Sequence, residues 1–177
     1  MISKNNIRKR AEELLSHLQP GFPVDLGAIA RTLNIKVTEI PLEDDVSGMI
    51  VMGNEDKAAI GINQAHAPVR KRFTFAHEIG HYVLHRQPGK HFIDKVRYRR
   101  SLDEMPLKPD PDEVEANYFA AELLMPRFEI ERLIEESPSD FIQDEMVTEM
   151  AGHFGVSVQA MMVRLNSLGY IPDWGML

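Results

Sequence analysis

The sequence predicts an α+β fold in which a small, mostly antiparallel sheet is combined with helices before and after it. Three patterns predict this class. Apolar residues recur at helical spacing near both ends of the chain, alternate with polar residues between 35 and 62, and fill a helix-like segment from 68 to 85. The 177 residues suffice for a sizeable core, and we expect a single domain over 1–177.

Two helices are predicted in the N-terminal part of this domain, residues 1–34. In the first, apolar residues lie three or four positions apart, namely Ile7, Ala11, Leu14, Leu15 and Leu18. Pro20 and Gly21 are expected to end it. Asp25 is a suitable N-cap for the second helix, because its carboxylate can accept a hydrogen bond from a free backbone N–H of the first turn.

The central part, residues 35–126, begins with three predicted strands. Ile35, Val37 and Ile40 alternate with polar residues, which is the period of a half-buried strand. Residues 47–52 and 58–62 are two further strand-like runs. The turn-forming residues between them predict that these two runs form a hairpin.

A helix is predicted from Pro68 to about His85, and it contains the sequence His-Glu-Ile-Gly-His at 77–81. Residues four apart stack on one face of a helix, so His77 and His81 can offer two imidazole nitrogens to one tetrahedral metal ion. Glu78 lies next to that position. Its carboxylate is a candidate general base, which would take a proton from a metal-bound water.

The alternative interpretation is that both histidines are core residues with ordinary hydrogen-bond partners. Apolar residues surround the helix on all sides, which indicates that it is buried, and unpartnered polar groups are costly there. A metal ion removes that cost by taking the imidazole lone pairs, so a metal site is favoured. Because the sequence has no cysteine, the site must use histidine and carboxylate ligands; we expect Zn²⁺, with Mn²⁺ as the alternative.

A third protein ligand is expected from the next strong helix, which opens at Asp110 and closes before Pro126. Glu113 and Glu115 are the two candidates. Glu115 shares a helical face with apolar residues, whereas Glu113 points away from that face, and we therefore favour Glu115. Either glutamate could instead be a solvated carboxylate that interacts with the helix dipole.

Residues 90–109 contain basic residues interleaved with apolar ones, followed by a proline-rich stretch. We interpret them as a solvated connection between the two helices. A mobile flap or a phosphate-binding strip is the alternative.

The C-terminal part, residues 127–177, is predicted to be helical and contains the pattern of a helix-turn-helix. One helix ends at a glycine turn around Gly155, and Ser157 is a suitable N-cap for the next. This part has three arginines against nine acidic residues, and Arg164 is the single basic residue of the second helix. DNA recognition needs basic residues that neutralise phosphates, so a structural helix pair is favoured.

The composition as a whole predicts a soluble protein. The net charge of −7 argues against a general affinity for nucleic acid or anionic lipid, and no apolar run approaches the ~18 residues of a membrane helix. The basic N-terminus leads into an amphipathic helix and not into an apolar signal sequence, so we expect a cytoplasmic protein. The sequence does not predict an oligomeric state.

Two stretches together resemble the ImmA/IrrE-type metallopeptidases of bacteria, phages and mobile elements. They are residues 72–85, around the two histidines, and residues 115–126, Glu-Ala-Asn-Tyr-Phe-Ala-Ala-Glu-Leu-Leu-Met-Pro. The resemblance implies a zincin-like fold, Glu115 as third zinc ligand, and a helix-turn-helix transcriptional repressor as the protein substrate. A non-catalytic zincin scaffold that controls a repressor or DNA by contact is the alternative function.

The sequence also offers candidates for carbonyl polarisation and for substrate binding. Four residues are candidates for polarising the scissile carbonyl, namely His85, Tyr98, Tyr118 and His153. The hairpin of residues 47–62 is expected to present a strand edge on which an extended substrate segment pairs. We expect the target to be met by protein contact and without DNA.

Overall fold

The computed structural model describes residues 1–18, 21–53, 57–95, 110–137 and 141–172. These residues form seven helices and four strands, which confirms the α+β class. The helices are α1 (Lys4–Leu18), α2 (Leu26–Thr32), α3 (Pro68–His85), α4 (Pro111–Leu124), α5 (Arg127–Glu135), α6 (Asp144–Phe154) and α7 (Val158–Leu168). The strands are β1 (Ile35–Ile40), β2 (Val46–Met52), β3 (Ala58–Asn63) and β4 (His91–Lys95).

The sheet has the strand order β1-β3-β2-β4. The predicted hairpin is confirmed, because β2 and β3 pair antiparallel. β4 is also antiparallel to β2, and β1 is parallel to β3, so the sheet is mostly antiparallel as expected. β2 and β3 are therefore inner strands, and β1 and β4 lie at the two edges.

β4 corrects the interpretation of residues 90–109 as a solvated connection. His91 to Lys95 form a strand instead, because their backbone pairs with β2 and the Phe92 side chain is buried against the ring of His81. The remainder of that stretch, residues 96–109, lies outside the described residues.

Helix α3 contacts the sheet through β2 and β3 on one side and α4 on another. Its middle is buried from Ala76 to Tyr82. Gly80 permits the close approach of α4, because a Cβ atom at this position would lie 3.1 Å from the carbonyl oxygen of Ala116 and 3.1 Å from the ring of Phe119. This contact brings the first turn of α4 next to the histidines of α3.

The predicted helix-turn-helix pattern corresponds to α6 and α7. Gly155 adopts a left-handed conformation with φ of 65°, and the Ser157 hydroxyl accepts a hydrogen bond from Ala160 N at 3.1 Å. Arg164 of α7 forms a buried ion pair with Glu122 of α4, with nitrogen to oxygen distances of 2.6 and 3.1 Å. Among the described residues, no helix has the length and apolarity needed to span a membrane.

Candidate metal centre

His77 and His81 lie one turn apart on α3 and point to the same place. Their Nε2 atoms are 3.0 Å apart, and both side chains are almost fully buried, with 2% and 0% of their area exposed. Two ring nitrogens converge in this way because residues four apart share one helical face.

Glu113, in the first turn of α4, completes a three-residue cluster with this pair. One carboxylate oxygen lies 3.3 Å from His77 Nε2, and the other lies 3.3 Å from His81 Nε2. Two imidazole nitrogens and a carboxylate are a donor set that zinc takes in catalytic sites. The three side chains therefore fit a single metal ion, which the two Nε2 atoms and the Glu113 carboxylate would bind.

Glu115, the third ligand favoured from the helical pattern of the sequence, is not beside the histidine pair. Its carboxylate accepts a hydrogen bond from the backbone N–H of Ile2 and lies 3.8 Å from His85 Nε2. The preference for Glu115 assumed that the buried face of α4 is the face that meets α3. The helix is buried on more than one side, however, and Glu113 and Asn117 are the polar residues on the side that meets the histidines.

Neighbouring groups orient both histidines. With a proton on Nδ1, His77 donates a hydrogen bond to Oδ1 of Asn117 at 3.1 Å, which leaves the Nε2 lone pair free for a metal. The ring of His81 stacks on Phe92, with centroids 3.9 Å apart and an interplanar angle of 16°. Burial lowers the pKa of His81, which favours the neutral imidazole that a metal binds.

Burial alone would raise the pKa of the Glu113 carboxyl. Hydrogen bonds to His77 and His81 outweigh that effect and hold its pKa well below the usual range. Glu113 is therefore a carboxylate in this site, as a metal ligand must be.

Glu78 is fully buried beside this cluster. Burial raises the pKa of Glu78 well above its ordinary value, and the negative charges of Asp94 and Glu113 act in the same direction. Neither carboxyl oxygen of Glu78 has a hydrogen-bond partner within the described part of the chain. The neighbouring strand leaves little space, since a Cβ atom at Gly48 would lie 3.3 Å from Glu78 Oε1. A carboxylate with a raised pKa is suited to accept a proton near neutral pH.

Asp94 is a further carboxylate at this centre that was not predicted from the sequence. Its carboxylate, a ring nitrogen of His77 and the carboxylate of Glu78 all lie within 4.8 Å of one another. The sequence does contain a signal for this position. Phe92 and Asp94 are two residues apart in a strand-like segment, so their side chains lie on the same face of the strand.

Three of the four candidates for polarising a carbonyl have other surroundings. His85 lies one turn beyond His81, and its Nε2 is 3.1 Å from the backbone oxygen of Asp112. His153, in the last turn of α6, makes a 2.9 Å hydrogen bond to Glu129 in the first turn of α5. The ring of Tyr118 lies beneath the ammonium group of a lysine in α1. Tyr98 lies outside the described residues.

Comparison with known proteins agrees with the resemblance seen in the sequence. The model of a peptidase family described as IrrE N-terminal-like domain matches residues 30–166, which include α3, α4 and the whole candidate metal centre. The chain is also 30% identical over 120 residues to uncharacterized immunity region protein 2 of Bacillus phage phi105, covering 68% of each chain. The protein therefore belongs to the IrrE N-terminal-like domain family of peptidases.

Proposed function

We propose that the protein is a metal-dependent endopeptidase in which His77, His81 and Glu113 hold one Zn²⁺ ion. The observation that carries the proposal is the convergence of two histidine nitrogens and a carboxylate next to Glu78, a buried carboxyl group without a partner among the described residues. Buried polar groups are normally paired, so a cluster of this kind is costly without a ligand. Mn²⁺ is the alternative ion, because it accepts the same nitrogen and oxygen donors.

The positions of these groups support a hydrolytic reaction. A divalent ion bound here would polarise the scissile carbonyl and lower the pKa of a water to about 7. Glu78 takes a proton from the attacking water and passes it to the amide nitrogen as the carbon–nitrogen bond breaks. The hydrogen bond from His77 to Asn117 and the stacking of His81 on Phe92 keep both imidazoles in position during the reaction.

We propose β4 as the strand on which the substrate pairs. The hairpin of β2 and β3 does not offer a free edge at this end of the sheet, because β2 is covered by β4. Within the described residues, β4 pairs on one side only, and Phe92 packs it against the ring of His81. An extended peptide added to the open edge would pair with β4, which carries Asp94 beside Glu78, so cleavage requires an extended or locally unfolded segment in the target.

We propose a helix-turn-helix transcriptional repressor as the cytoplasmic target. The phage relative is described as an immunity region protein, which supports a target in gene regulation. Binding of the target through DNA is not supported by the C-terminal helices. Arg164, the single basic residue of α7, is buried and paired with Glu122, so it is not available to a phosphate.

The test is incubation of the zinc-loaded protein with the repressor encoded beside it, followed by mass spectrometry of the fragments. The wild type should cut the repressor, whereas Glu78→Gln should keep one zinc ion per chain and lose cleavage. The non-catalytic scaffold would be supported instead if the zinc-loaded wild type does not cut the repressor, and if the wild type and Glu78→Gln change repressor activity to the same extent.

A further inference from the structure

The centre contains one carboxylate that the proposed mechanism does not use. Asp94 lies on β4, is partly buried, and belongs neither to the proposed metal ligands nor to the general base. The position of Asp94 follows from the similar spacing of two residues along β4 and four residues along α3. Two residues along a strand span about 6.6 Å, and four residues along a helix span about 6 Å. Because Phe92 stacks on His81, Asp94 lies beside the preceding turn of α3, which contains His77 and Glu78.

The distance between Asp94 and Glu78 suits a small cationic group. Their carboxylate oxygens lie within 4.8 Å of each other. An ammonium nitrogen forms charge-assisted hydrogen bonds of about 2.8 Å, so one nitrogen between the two oxygens can bind both. Two like charges at this separation repel each other, and a cation between them removes that cost.

Peptide hydrolysis produces such a cation next to Glu78. The carbon–nitrogen bond breaks, a carbon–oxygen bond forms, and both protons of the water end on the amine nitrogen, one of them through Glu78. At neutral pH the products are a carboxylate and an alkylammonium ion. We propose that Asp94 binds this leaving amine together with Glu78, and so acts as a catalytic residue on the product side of the scissile bond. This inference rests on the proposed peptidase function.

The proposal predicts a preference that can be measured without cleavage. L-leucylglycinamide has the free ammonium group of a leaving peptide, and its N-acetyl derivative lacks it. The zinc-loaded wild type should bind the free amine about tenfold more tightly, as expected for a charged hydrogen bond. In Asp94→Asn this preference should fall to nearly one. Affinities of both compounds are measured by NMR titration.

Asp44→Asn is the matched control. Asp44 is exposed in the loop before β2, so its substitution removes the same charge from the protein at a different place. This variant should keep the tenfold preference. All three proteins should bind one zinc ion and be fully folded at the assay temperature, because asparagine has the same shape as aspartate and Asp94 lies on an edge strand.

Three results would overturn the assignment. One is the absence of a preference in the wild type, and another is its persistence in Asp94→Asn. The third is loss of zinc from Asp94→Asn, which would make Asp94 a metal ligand. None of these outcomes decides whether the protein is a peptidase, which is tested by repressor cleavage. With a cleavable peptide, Asp94→Asn should lower kcat for the amide more than for the matching ester, whose leaving group is an alcohol.

Discussion

Glu113 and Glu115 are two residues apart on α4 and have different surroundings. Glu113 lies 3.3 Å from each of the two Nε2 atoms, whereas Glu115 accepts a hydrogen bond from Ile2 at the start of the chain. Two positions along a helix rotate the side chain by more than half a turn, so the two carboxylates cannot serve the same site. One is suited to bind metal and the other to anchor the N-terminus.

Substitution of these two glutamates should separate metal binding from stability. Glu113→Ala should lose zinc affinity by more than the ~100-fold that an outer-shell change produces, because a ligand is removed. Glu115→Ala should keep its zinc and lose roughly 1–3 kcal/mol of stability, since the Ile2 N–H loses its partner. Competition with a fluorescent chelator and urea unfolding measure the two effects. Greater zinc loss in Glu115→Ala would exclude Glu113 as the ligand.

Glu78 makes stability depend on pH in the metal-free protein. Burial raises its pKa in the folded state, so its contribution to stability is fully present below the unfolded value of about 4.5 and is lost as the pH rises. Glutamine remains neutral and does not have this loss. Metal-free Glu78→Gln should therefore unfold at a higher temperature than the wild type at pH 8, and the gap should close as the pH approaches 4.5.

Thermal unfolding in EDTA across this pH range measures the gap. A difference between the two proteins that is the same at every pH would contradict the raised pKa of Glu78.

Within the candidate metal centre, the sequence predicted only those parts that depend on local spacing. His77 and His81 are brought together by the helical repeat alone, and Glu78 is next to them in the sequence. The helical repeat also says which residues of α4 share a face, but it does not say which face meets α3. The packing of α4 on α3 puts Glu113 beside the histidine pair, and no local pattern in the sequence predicts that packing.

The close contact of α3 with α4 decides whether Glu113 reaches the histidines. Gly80 stands at this contact, with the backbone of Ala116 at 3.1 Å from the position of an added Cβ. Backbone atoms cannot move aside as a flexible side chain can. A methyl group at residue 80 must therefore push the two helices apart and move Glu113 away from the imidazoles.

Gly80→Ala and Gly152→Ala form a matched pair that tests this contact. Gly80→Ala should cost roughly 1–3 kcal/mol by overpacking and should weaken zinc binding as well. Gly152 also lies in a helix, but an added Cβ meets nothing within 4 Å, so Gly152→Ala should gain about 0.5–1 kcal/mol. Urea unfolding and zinc titration give both values. Equal responses of the two variants would show that the helix contact does not limit the site.

The elements differ in how far local sequence predicts them. The N-cap of Asp25, the glycine turn at Gly155 and the cap of Ser157 are formed by neighbouring residues, and all three are present where the sequence predicted them. β4 has only five residues, and it exists because its backbone pairs with β2, which lies 40 to 49 positions earlier. No local signal describes such a partner, so this strand was missed, and Asp94 was missed with it.

The C-terminal helix α7 is joined to α4 by a buried ion pair. Arg164 donates to both oxygens of Glu122, and its Nε donates to the carbonyl of Met125 at 3.0 Å. Both charged side chains are 2% exposed. The arginine that a DNA-binding helix would direct at a phosphate therefore fixes α7 on α4. The C-terminal part, residues 127–177, has a net charge of −6 from three arginines and nine acidic residues.

This arrangement predicts that Arg164 affects stability and not DNA binding. Arg164→Ala leaves the charge of Glu122 buried without a partner, which should cost roughly 3–5 kcal/mol. Replacing both partners, as in Arg164→Met with Glu122→Met, should recover much of that loss, because no buried charge remains. Arg127→Ala is the control. It breaks an ion pair between exposed side chains and should have a much smaller effect.

Urea unfolding measures the stabilities, and fluorescence anisotropy with a labelled operator duplex measures DNA binding at low and at physiological salt. We expect no binding by the wild type at physiological salt, since too few cations are available on this face to release counterions from DNA. Sub-micromolar binding by the wild type that is lost in the doubly substituted, stable variant would assign the helix pair to DNA after all. It would also mean that Arg164 leaves Glu122 when DNA is present, and that the target is found on its operator.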